Sequence, residues 1–255
     1  MNIRDKVVVV TGGASGIGAA LVRAFLAGGA RAVVAADLKT AGAPAGSDAR
    51  VCDVTQEAQI VALARALEAQ YGRVDIFCSN AGVLTSGWDV READFELWER
   101  DWKVNVLAHA VAAKAVLPGM IARGEGWLLN TASAAGLLAT PESLVYTVTK
   151  HASVALAEQL AFSYRRFGIG VSALCPMAVA TPMVDQVGDD GASAGLDGVL
   201  SADTVAAAAI AGIEAGQFFI FPHAGVPEYW AKKVARHDKW LMAMETLQQR
   251  FATAR

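Results

Sequence analysis

The chain has 255 residues, of which 54% are hydrophobic, and a formal net charge of −3 at pH 7. This length without an internal repeat predicts one large domain, and the mixed charges provide no basic stripe for nucleic acid or an anionic membrane. No apolar stretch approaches about 18 residues without a charge, glycine or proline, so we expect no membrane span.

The cysteines and the first residues bear on the cellular compartment. Cys52, Cys78 and Cys175 are far apart and form no CxxC pair, which predicts buried, reduced thiols. The opening sequence MNIRDK carries charges where a secretory leader needs an apolar stretch. We therefore expect a cytoplasmic protein.

Predicted strands and helices alternate along the chain. Runs of apolar, often β-branched residues predict strands at 6–11, 31–37, 50–52, 74–79, 126–131, 169–175 and 217–221. Helical spacing predicts helices at 16–26, 56–71 (capped by Thr55), 94–123, 143–167, 202–215 and about 227–252. Residues 177–200 have no clear period and are predicted to form a lid. The pattern predicts one α/β domain over residues 1–255, a Rossmann-type doubly wound fold of about seven parallel strands with helices on both faces.

The first strand runs directly into the glycine-rich sequence TGGASGIG at positions 11–18. Gly12, Gly16 and Gly18 permit a tight turn and a close approach of the backbone to a pyrophosphate, beside the positive end of the next helix. No lysine follows the glycines, so the turn is not a P-loop. Taken alone, the pattern also fits a tight turn that binds nothing.

Asp37 ends the second predicted strand, 19 residues after Gly18. A carboxylate there accepts hydrogen bonds from the adenosine ribose of NAD and repels a 2′-phosphate. Neither Ala14 nor Leu38 supplies a cation for that phosphate, and Lys39 is the nearby candidate. An aspartate at a strand end is often only a helix cap, but its place after the glycine-rich turn favours ribose binding.

Tyr146 and Lys150 lie one turn apart on the same face of a predicted helix. A free phenol has a pKa of about 10 and is a poor base at neutral pH, but a nearby lysine cation favours the phenolate and lowers that pKa. The pair therefore suits proton transfer to or from an alcohol. By itself, the spacing also describes an ordinary surface pair.

Together these motifs resemble the short-chain dehydrogenase/reductase family over essentially the whole chain. The matching features, in the family's order, are TGGASGIG, Asp37, CDV at 52–54, SNAG at 79–82, Asn105, Ser133 and Tyr146-x-x-x-Lys150. The resemblance implies an NAD-dependent enzyme of the alcohol dehydrogenase type that acts on CH–OH groups.

The resemblance also implies a role for each matching residue. Tyr146 is the catalytic acid and base, Ser133 bonds the substrate oxygen, Lys150 holds the phenolate and the nicotinamide ribose, and Asn105 keeps a water of a proton relay. Asn105 could instead simply bond backbone. Asp53 and Val54 are implied to bind the adenine of NAD, and Asn80 to line the adenosine ribose. Val179 and Thr181 are implied to hold the carboxamide of the nicotinamide. The whole implied cofactor site is Gly12, Ser15, Gly16, Ile17, Gly18, Asp37, Leu38, Asp53, Val54, Asn80, Ala81, Gly82, Tyr146, Lys150, Pro176, Val179 and Thr181.

In the catalytic region, two other residues could supply the substrate-binding hydroxyl, and two positions differ from the family's usual residues. Thr131 or Ser143 could be mistaken for the substrate-binding hydroxyl, but the 13-residue spacing before Tyr146 favours Ser133. The family usually has asparagine where Ser79 stands, and glycine where Met177 follows Pro176. We expect Met177 and Met183 to line the substrate pocket.

The composition of the lid bears on the substrate. No lysine or arginine lies between Phe167 and Trp230, whereas aspartates occur at 185, 189, 190, 197 and 203. With its near end apolar, the lid suits a neutral, fairly hydrophobic secondary alcohol or ketone. A 3-oxoacyl-carrier-protein reductase remains a rival because Arg123, Arg165 and Arg166 could meet an acidic carrier. A dinucleotide-binding regulator without turnover is the remote alternative.

The expected partners are a small-molecule substrate and further copies of the chain. Helices 94–123 and 143–167 are apolar beyond one buried stripe, and in the resembling family they pair across a two-fold axis. We expect a homotetramer, with a dimer as the alternative. A second apolar patch near the end of the chain either joins subunits or packs over the lid; it comprises Tyr229, Trp230, Trp240, Leu241, Met242 and Met244. His109, His223 and His237 form no ligand spacing, so no metal is predicted.

Overall fold

The fold is built on a seven-stranded sheet in which every pairing is parallel. In this computed structural model, which describes residues 1–185 and 193–252, the strand order is β3-β2-β1-β4-β5-β6-β9. The strands are β1 (Val7–Thr11), β2 (Ala32–Asp37), β3 (Asp48–Val51), β4 (Ile76–Ser79), β5 (Gly126–Thr131), β6 (Ile169–Leu174) and β9 (Phe219–Ile220). The predicted doubly wound α/β class is confirmed, with each predicted strand within two residues of an observed one at its start.

Helices cover both faces of the sheet, and the pleat explains which residues each face buries. On β1, Val9 faces one helix layer while Val8 and Val10 face the other. The first layer is α2 (Glu57–Tyr71), α4 (Ala108–Arg123) and α5 (Leu144–Tyr164). The second is α1 (Gly16–Ala27) and α7 (Ala202–Glu214). Because all strands run parallel, their carboxyl ends form one edge, where the predicted site residues meet.

Several predicted helix features are wrong in detail. Thr55 does not cap α2: the N-cap residue is Gln56, and the Thr55 hydroxyl instead donates to Asp53 at 2.8 Å. The predicted helix 94–123 consists of α3 (Phe95–Trp102), a π-helical turn (Lys103–Leu107) and α4. The predicted terminal helix is two, α8 (Val226–Ala235) and α9 (His237–Ala252), because Arg236 leaves helical geometry at φ −143° and ψ 58°.

The combined helix Phe95–Arg123 is long and apolar enough to cross a membrane by length and composition alone. More than half of its most apolar window is buried inside the protein, as in the core helix of a globular domain. Cys52, Cys78 and Cys175 are free and buried, as predicted.

The predicted lid has more regular structure than its composition suggested. Val179–Ala180 (β7) pairs with Leu200–Ser201 (β8) in a small parallel ribbon, and Pro182–Asp185 (α6) forms a short helix between them. The ribbon joins the two ends of the lid to each other. The middle of the lid, 186–192, including the two aspartates at 189 and 190, lies outside the described residues.

Candidate active site

The glycine-rich turn joins β1 to α1 and forms one end of the site. Gly12 and Gly16 have φ of +64° and +50°, which glycine adopts without strain. Gly18 is required for close packing: a Cβ there would lie 2.7 Å from the Gly12 carbonyl carbon and 2.6 Å from Asn80 Nδ2. Ser15 is the N-cap of α1 and makes no side-chain cap, which leaves the first N–H groups of the helix available to an anion.

Asp37 closes the same end of the site from the tip of β2. Its Oδ2 accepts a hydrogen bond from the Ala14 N–H at 3.0 Å, so the carboxylate is tied to the glycine-rich turn. The Lys39 N–H lies 3.5 Å from the other oxygen, and Leu38 is exposed. The carboxylate is therefore held beside the turn, as the ribose hypothesis requires.

Asp53 and Val54 follow β3 at the next position along the edge. The Asp53 Oδ1 accepts from the Thr55 N–H at 2.9 Å and from the Thr55 hydroxyl, and the Asp53 N–H donates to Gln59 at 2.8 Å. Val54 packs against the core beneath it. These bonds fix the shape of the predicted adenine-binding loop.

The Asn80 side chain links neighbouring strands by hydrogen bonds. Its amide nitrogen donates to the Thr11 carbonyl at 3.0 Å, and its amide oxygen accepts from the Thr131 hydroxyl at 3.1 Å. The Thr11 hydroxyl in turn accepts from the N–H groups of Asn80 and Ala81. The Asn80 side chain thus joins β1, β4 and β5 and shapes the floor of the cleft.

The catalytic candidates meet at the carboxyl ends of β5 and β6. The Ser143 hydroxyl caps α5 by accepting from the Tyr146 N–H at 3.2 Å, which starts the helix so that Tyr146 and Lys150 share one face. The Lys150 Nζ donates to the Thr131 carbonyl at 2.9 Å and lies 5.4 Å from the centre of the Tyr146 ring. The Ser133 Oγ donates to the Pro176 carbonyl at 3.4 Å and accepts from the Ala135 N–H.

Burial dominates the electrostatics of this cluster. Burial raises the pKa of Tyr146 to about 12, and a hydrogen bond with the Ser133 hydroxyl lowers that pKa by a smaller amount. Burial also lowers the pKa of Lys150 to about 8. The sequence predicts that Lys150 lowers the pKa of the phenol. In the structure, desolvation raises that pKa instead, which stabilises the protonated phenol further.

Asn105 lies on the π-helical turn and is fully buried. Its Oδ1 accepts from the Val83 N–H at 3.0 Å, and its Nδ2 donates to the Val83 carbonyl at 2.9 Å and to the Thr149 hydroxyl at 3.1 Å. The side chain therefore bonds backbone, which was the alternative considered from sequence. Any water of a proton relay would have to bind another group, such as a carbonyl of the irregular turn.

A cleft of about 1360 Å³ connects the glycine-rich turn with the catalytic cluster. It runs from the glycine-rich turn, past Ser133, Tyr146 and Lys150, to a wall made by α8 and α9. Further predicted residues that line it are Ser15, Ile17, Asn80, Ala81, Gly82, Pro176, Met177, Val179, Thr181 and Met183. The predicted site residues that do not line it are Asp37, Leu38, Asp53, Val54 and the fully buried Asn105.

The comparisons with known proteins agree with this geometry. A sequence model of the family described as short chain dehydrogenase matches residues 6–192. The chain belongs to the short-chain dehydrogenase family. It is an oxidoreductase that acts on CH–OH groups.

Three relatives illustrate the similarity. A 2,5-dichloro-2,5-cyclohexadiene-1,4-diol dehydrogenase of Sphingobium indicum is 36% identical over 207 residues, 78% of this chain and 82% of that one. A 1-deoxy-11-beta-hydroxypentalenate dehydrogenase of Streptomyces exfoliatus is 34% identical over 234 residues, 87% of this chain and 84% of that one. A short chain dehydrogenase/reductase of Burkholderia phymatum, solved in complex with NAD, superposes with a TM-score of 0.84 at 29% identity, covering 93% of this chain and 96% of that one.

In this dehydrogenase the geometry separates Ser133 from the other hydroxyls considered from sequence. The Thr131 hydroxyl is used by Asn80, and the Ser143 hydroxyl donates to the Thr85 carbonyl while it caps α5. Ser133 lines the cleft beside Tyr146.

Sequence reasoning missed the residues that close the far end of the dehydrogenase cleft. Glu142 is buried and accepts from the Ser193 N–H at 2.8 Å and the Ser193 hydroxyl at 2.7 Å, which fastens the end of the lid to the start of α5. Lys233 donates to the carbonyls of Leu137 and Leu138, both at 2.7 Å, and this holds α8 over the cleft. The periodicity of hydrophobic residues does not predict such contacts between distant segments. Within 1–185 and 193–252, no group of three metal-ligating side chains occurs.

Proposed function

We propose that this enzyme transfers a hydride between NAD(H) and a neutral, fairly hydrophobic secondary alcohol or ketone. The observation that carries the proposal is the continuous cleft from the glycine-rich turn to Tyr146. The turn, the uncapped α1 N-terminus and the Asp37 carboxylate suit a pyrophosphate and an adenosine ribose. The relative solved with NAD supports the same cofactor.

Each catalytic side chain has a task in this proposal. When bound, NAD supplies the hydride acceptor or donor. In ketone reduction, the Tyr146 phenol donates its proton to the carbonyl oxygen, and its raised pKa keeps that proton in place until then. The Ser133 hydroxyl orients the oxygen. In oxidation, Lys150 stabilises the phenolate that accepts the alcohol proton.

The substrate proposal rests on the apolar side chains that the lid contributes to the cleft, Met177, Met183 and Val184. The far rim carries charges that the lid sequence did not include. There Lys232 is paired with Glu228 at 2.6 Å, whereas Arg236 and Lys239 add positive charge from the junction of α8 and α9. We therefore propose an apolar body next to the reacting carbon of the substrate.

A turnover assay tests the reaction class. We expect neutral secondary alcohols to reduce NAD, and Tyr146→Phe to remove nearly all turnover while NADH still binds. Tyr164→Phe, on the same helix but away from this cleft, is the matched control and should keep full activity. Near-normal activity of Tyr146→Phe contradicts the mechanism, and wild-type NADH binding without turnover on any alcohol would favour the regulator alternative.

A charged substrate analogue tests whether the enzyme prefers a neutral substrate. An analogue of the best ketone with an added carboxylate should have a higher KM than the ketone itself, and a lower KM contradicts the preference for a neutral substrate.

A second assay tests the cofactor. We expect NAD(H) to be preferred over NADP(H) by at least about tenfold in kcat/KM, equivalent to about 1.4 kcal/mol. Asp37→Ser should reduce that preference, because it removes the carboxylate that repels a 2′-phosphate. Equal kcat/KM values for the two cofactors in the wild type would mean that Lys39 or another cation neutralises the Asp37 carboxylate.

The carrier-protein rival has weaker support. Arg123 donates to the Val74 carbonyl at 2.7 Å, next to the amino-terminal edge of β4, and Arg165 and Arg166 precede β6. These arginines therefore lie at the opposite edge of the sheet from the cleft. A carrier docked on them would place its acyl group far from Tyr146.

We also propose that the enzyme is a cytoplasmic homo-oligomer, with a tetramer favoured. Helices α3 to α5 expose large apolar side chains, among them Phe95 at 71% and Phe162 at 68%. The apolar patch near the end of the chain separates into two groups. Trp240 and Met244 line the cleft of their own chain, whereas Leu241 and Met242 are exposed. A light-scattering mass of one 26.6 kDa chain at micromolar concentration contradicts the assembly.

A further inference from the structure

His223 is a buried imidazole between the loop that follows β6 and the start of α8. Only 4% of its surface is exposed. Its Nδ1 accepts a hydrogen bond from the Met177 N–H at 3.1 Å. Its own carbonyl accepts from the Val226 N–H at 3.3 Å, where α8 begins. The residue therefore ties the segment that carries Met177 to the segment that leads into α8.

The end of the pairing between β6 and β9 explains why a side chain makes this contact. The Cys175 N–H still donates to the Ile220 carbonyl at 2.9 Å. Pro176 has no N–H group, so the row of backbone hydrogen bonds stops there. Met177 supplies the next donor, and His223 is the acceptor that the described residues offer to it.

The contact requires a neutral ring in one tautomer. Because the Met177 N–H donates, Nδ1 carries the lone pair and Nε2 carries the proton. Burial lowers the pKa of His223, against the opposite effects of the Ala178 and Gly198 carbonyls and of the Asp197 charge, all from the lid. The ring is therefore neutral at neutral pH and can accept at Nδ1.

The peptide group between Pro176 and Met177 is held on both sides. Its oxygen accepts from the Ala134 N–H at 2.8 Å and from the Ser133 hydroxyl at 3.4 Å. Its nitrogen donates to His223. The orientation of this peptide sets the direction in which the Met177 side chain leaves the backbone, and that side chain lines the cleft. A residue that only filled space at position 223 would leave one side of the peptide unheld.

Resting on the proposed function, we propose that His223 is a positioning residue that sets the accepted substrate size, because its imidazole fixes the Pro176–Met177 peptide and so holds the Met177 side chain in the cleft. His223 does not itself line the cleft, so it acts through Met177. The methionine side chain is flexible, and it excludes a bulky group only while its backbone is fixed.

Two substitutions separate hydrogen bonding from packing. His223→Leu fills the site without an acceptor, whereas His223→Asn keeps an oxygen near the position of Nδ1. We expect His223→Leu to raise kcat/KM for bulky ketones relative to small ones at least about fivefold, less than the roughly 10–200-fold discrimination that one methylene group can produce in an apolar pocket. His223→Asn should keep that ratio within about twofold of the wild type.

A double-mutant cycle tests whether Met177 carries the effect. In a Met177→Gly background, His223→Leu should change the ratio by less than about twofold, because no side chain remains to be misplaced. Val226→Ala, a buried packing change at the start of α8, should lower Tm without changing the ratio. An unchanged ratio in His223→Leu, an equal change in His223→Asn, or an equal change in both backgrounds would make His223 a packing residue.

A readout without turnover keeps this inference apart from the proposed reaction. In nitrogen-15 NMR spectra of the histidine-labelled protein, His223→Leu identifies the His223 signals among those of the four histidines. We expect an unprotonated Nδ1 and a protonated Nε2. A proton on Nδ1 contradicts the inference whether or not a ketone is reduced. A wild type that reduces no ketone contradicts the proposed function, and the tautomer then decides the inference by itself.

Discussion

Replacing Gly18 with alanine is the most direct test of how the glycine-rich turn is built. The added Cβ would lie 2.7 Å from the Gly12 carbonyl carbon and closer still to its oxygen, and 2.6 Å from Asn80 Nδ2. None of these atoms can move aside at low cost in free energy. Gly12 is held in its positive-φ turn, and the Asn80 amide is fixed to the Thr11 carbonyl at 3.0 Å.

The expected cost follows from two opposing effects. Forcing a methyl group into a tightly packed site costs about 1–3 kcal/mol, occasionally more. Alanine is the better helix former and returns up to about 1 kcal/mol. With the full gain from alanine, the net loss should be about 0–2 kcal/mol, equivalent to a fall in Tm of up to roughly 8 °C for a chain of this size. Because the clash moves the turn itself, we also expect NAD affinity to fall at least about tenfold, or 1.4 kcal/mol.

Thermal unfolding and NAD titration measure the two effects. Gly119→Ala is the matched control on α4, since the shortest contact of its Cβ would be Glu68 Oε1 at 2.5 Å, the movable end of a flexible side chain. That variant should match or exceed wild-type Tm and bind NAD normally. A Gly18→Ala protein with wild-type Tm and wild-type Kd would refute the reasoning.

Three other predictions concern the catalytic end of the cleft. Met177→Gly should lower the KM for bulky ketones relative to small ones, because its half-buried side chain lines the cleft; an unchanged ranking of kcat/KM with a lower Tm would assign it to loop support. Glu142→Gln should raise KM several-fold with little change in NAD Kd, since it weakens the charge-assisted bonds to Ser193; unchanged steady-state constants would show that the lid is held elsewhere. Since burial raises the pKa of Tyr146 to about 12, the phenol persists through neutrality, so kcat/KM for ketone reduction should stay flat up to about pH 7 while that for oxidation rises with pH. Burial also lowers the pKa of Lys150 to about 8, so a change in either rate near and above that pH reports the loss of the lysine charge. Profiles in both directions check this, and a reduction rate that already falls below about pH 7 contradicts it.

Local patterns in the sequence were enough for the scaffold and for the types of residue at the site. The run GWLLNT predicted β5 at its observed bounds, because a buried parallel strand needs continuous apolar residues. Gly12 and Gly16 were recognisable because a positive φ restricts the residue type. The four-residue spacing of Tyr146 and Lys150 put them on one face of α5 whatever the rest of the chain did.

Only the tertiary structure decided how those residues are surrounded. The phenol of Tyr146 has a raised pKa rather than a lowered one, because desolvation outweighs the hydrogen bond with Ser133. Asn105 turns its amide to Val83, and Glu142 reaches Ser193, 51 residues further along the chain. Helices α8 and α9 close the cleft through Lys233. A sequence pattern reports contacts within a turn or a strand, whereas these contacts depend on the order of strands in the sheet and on where each loop leaves it.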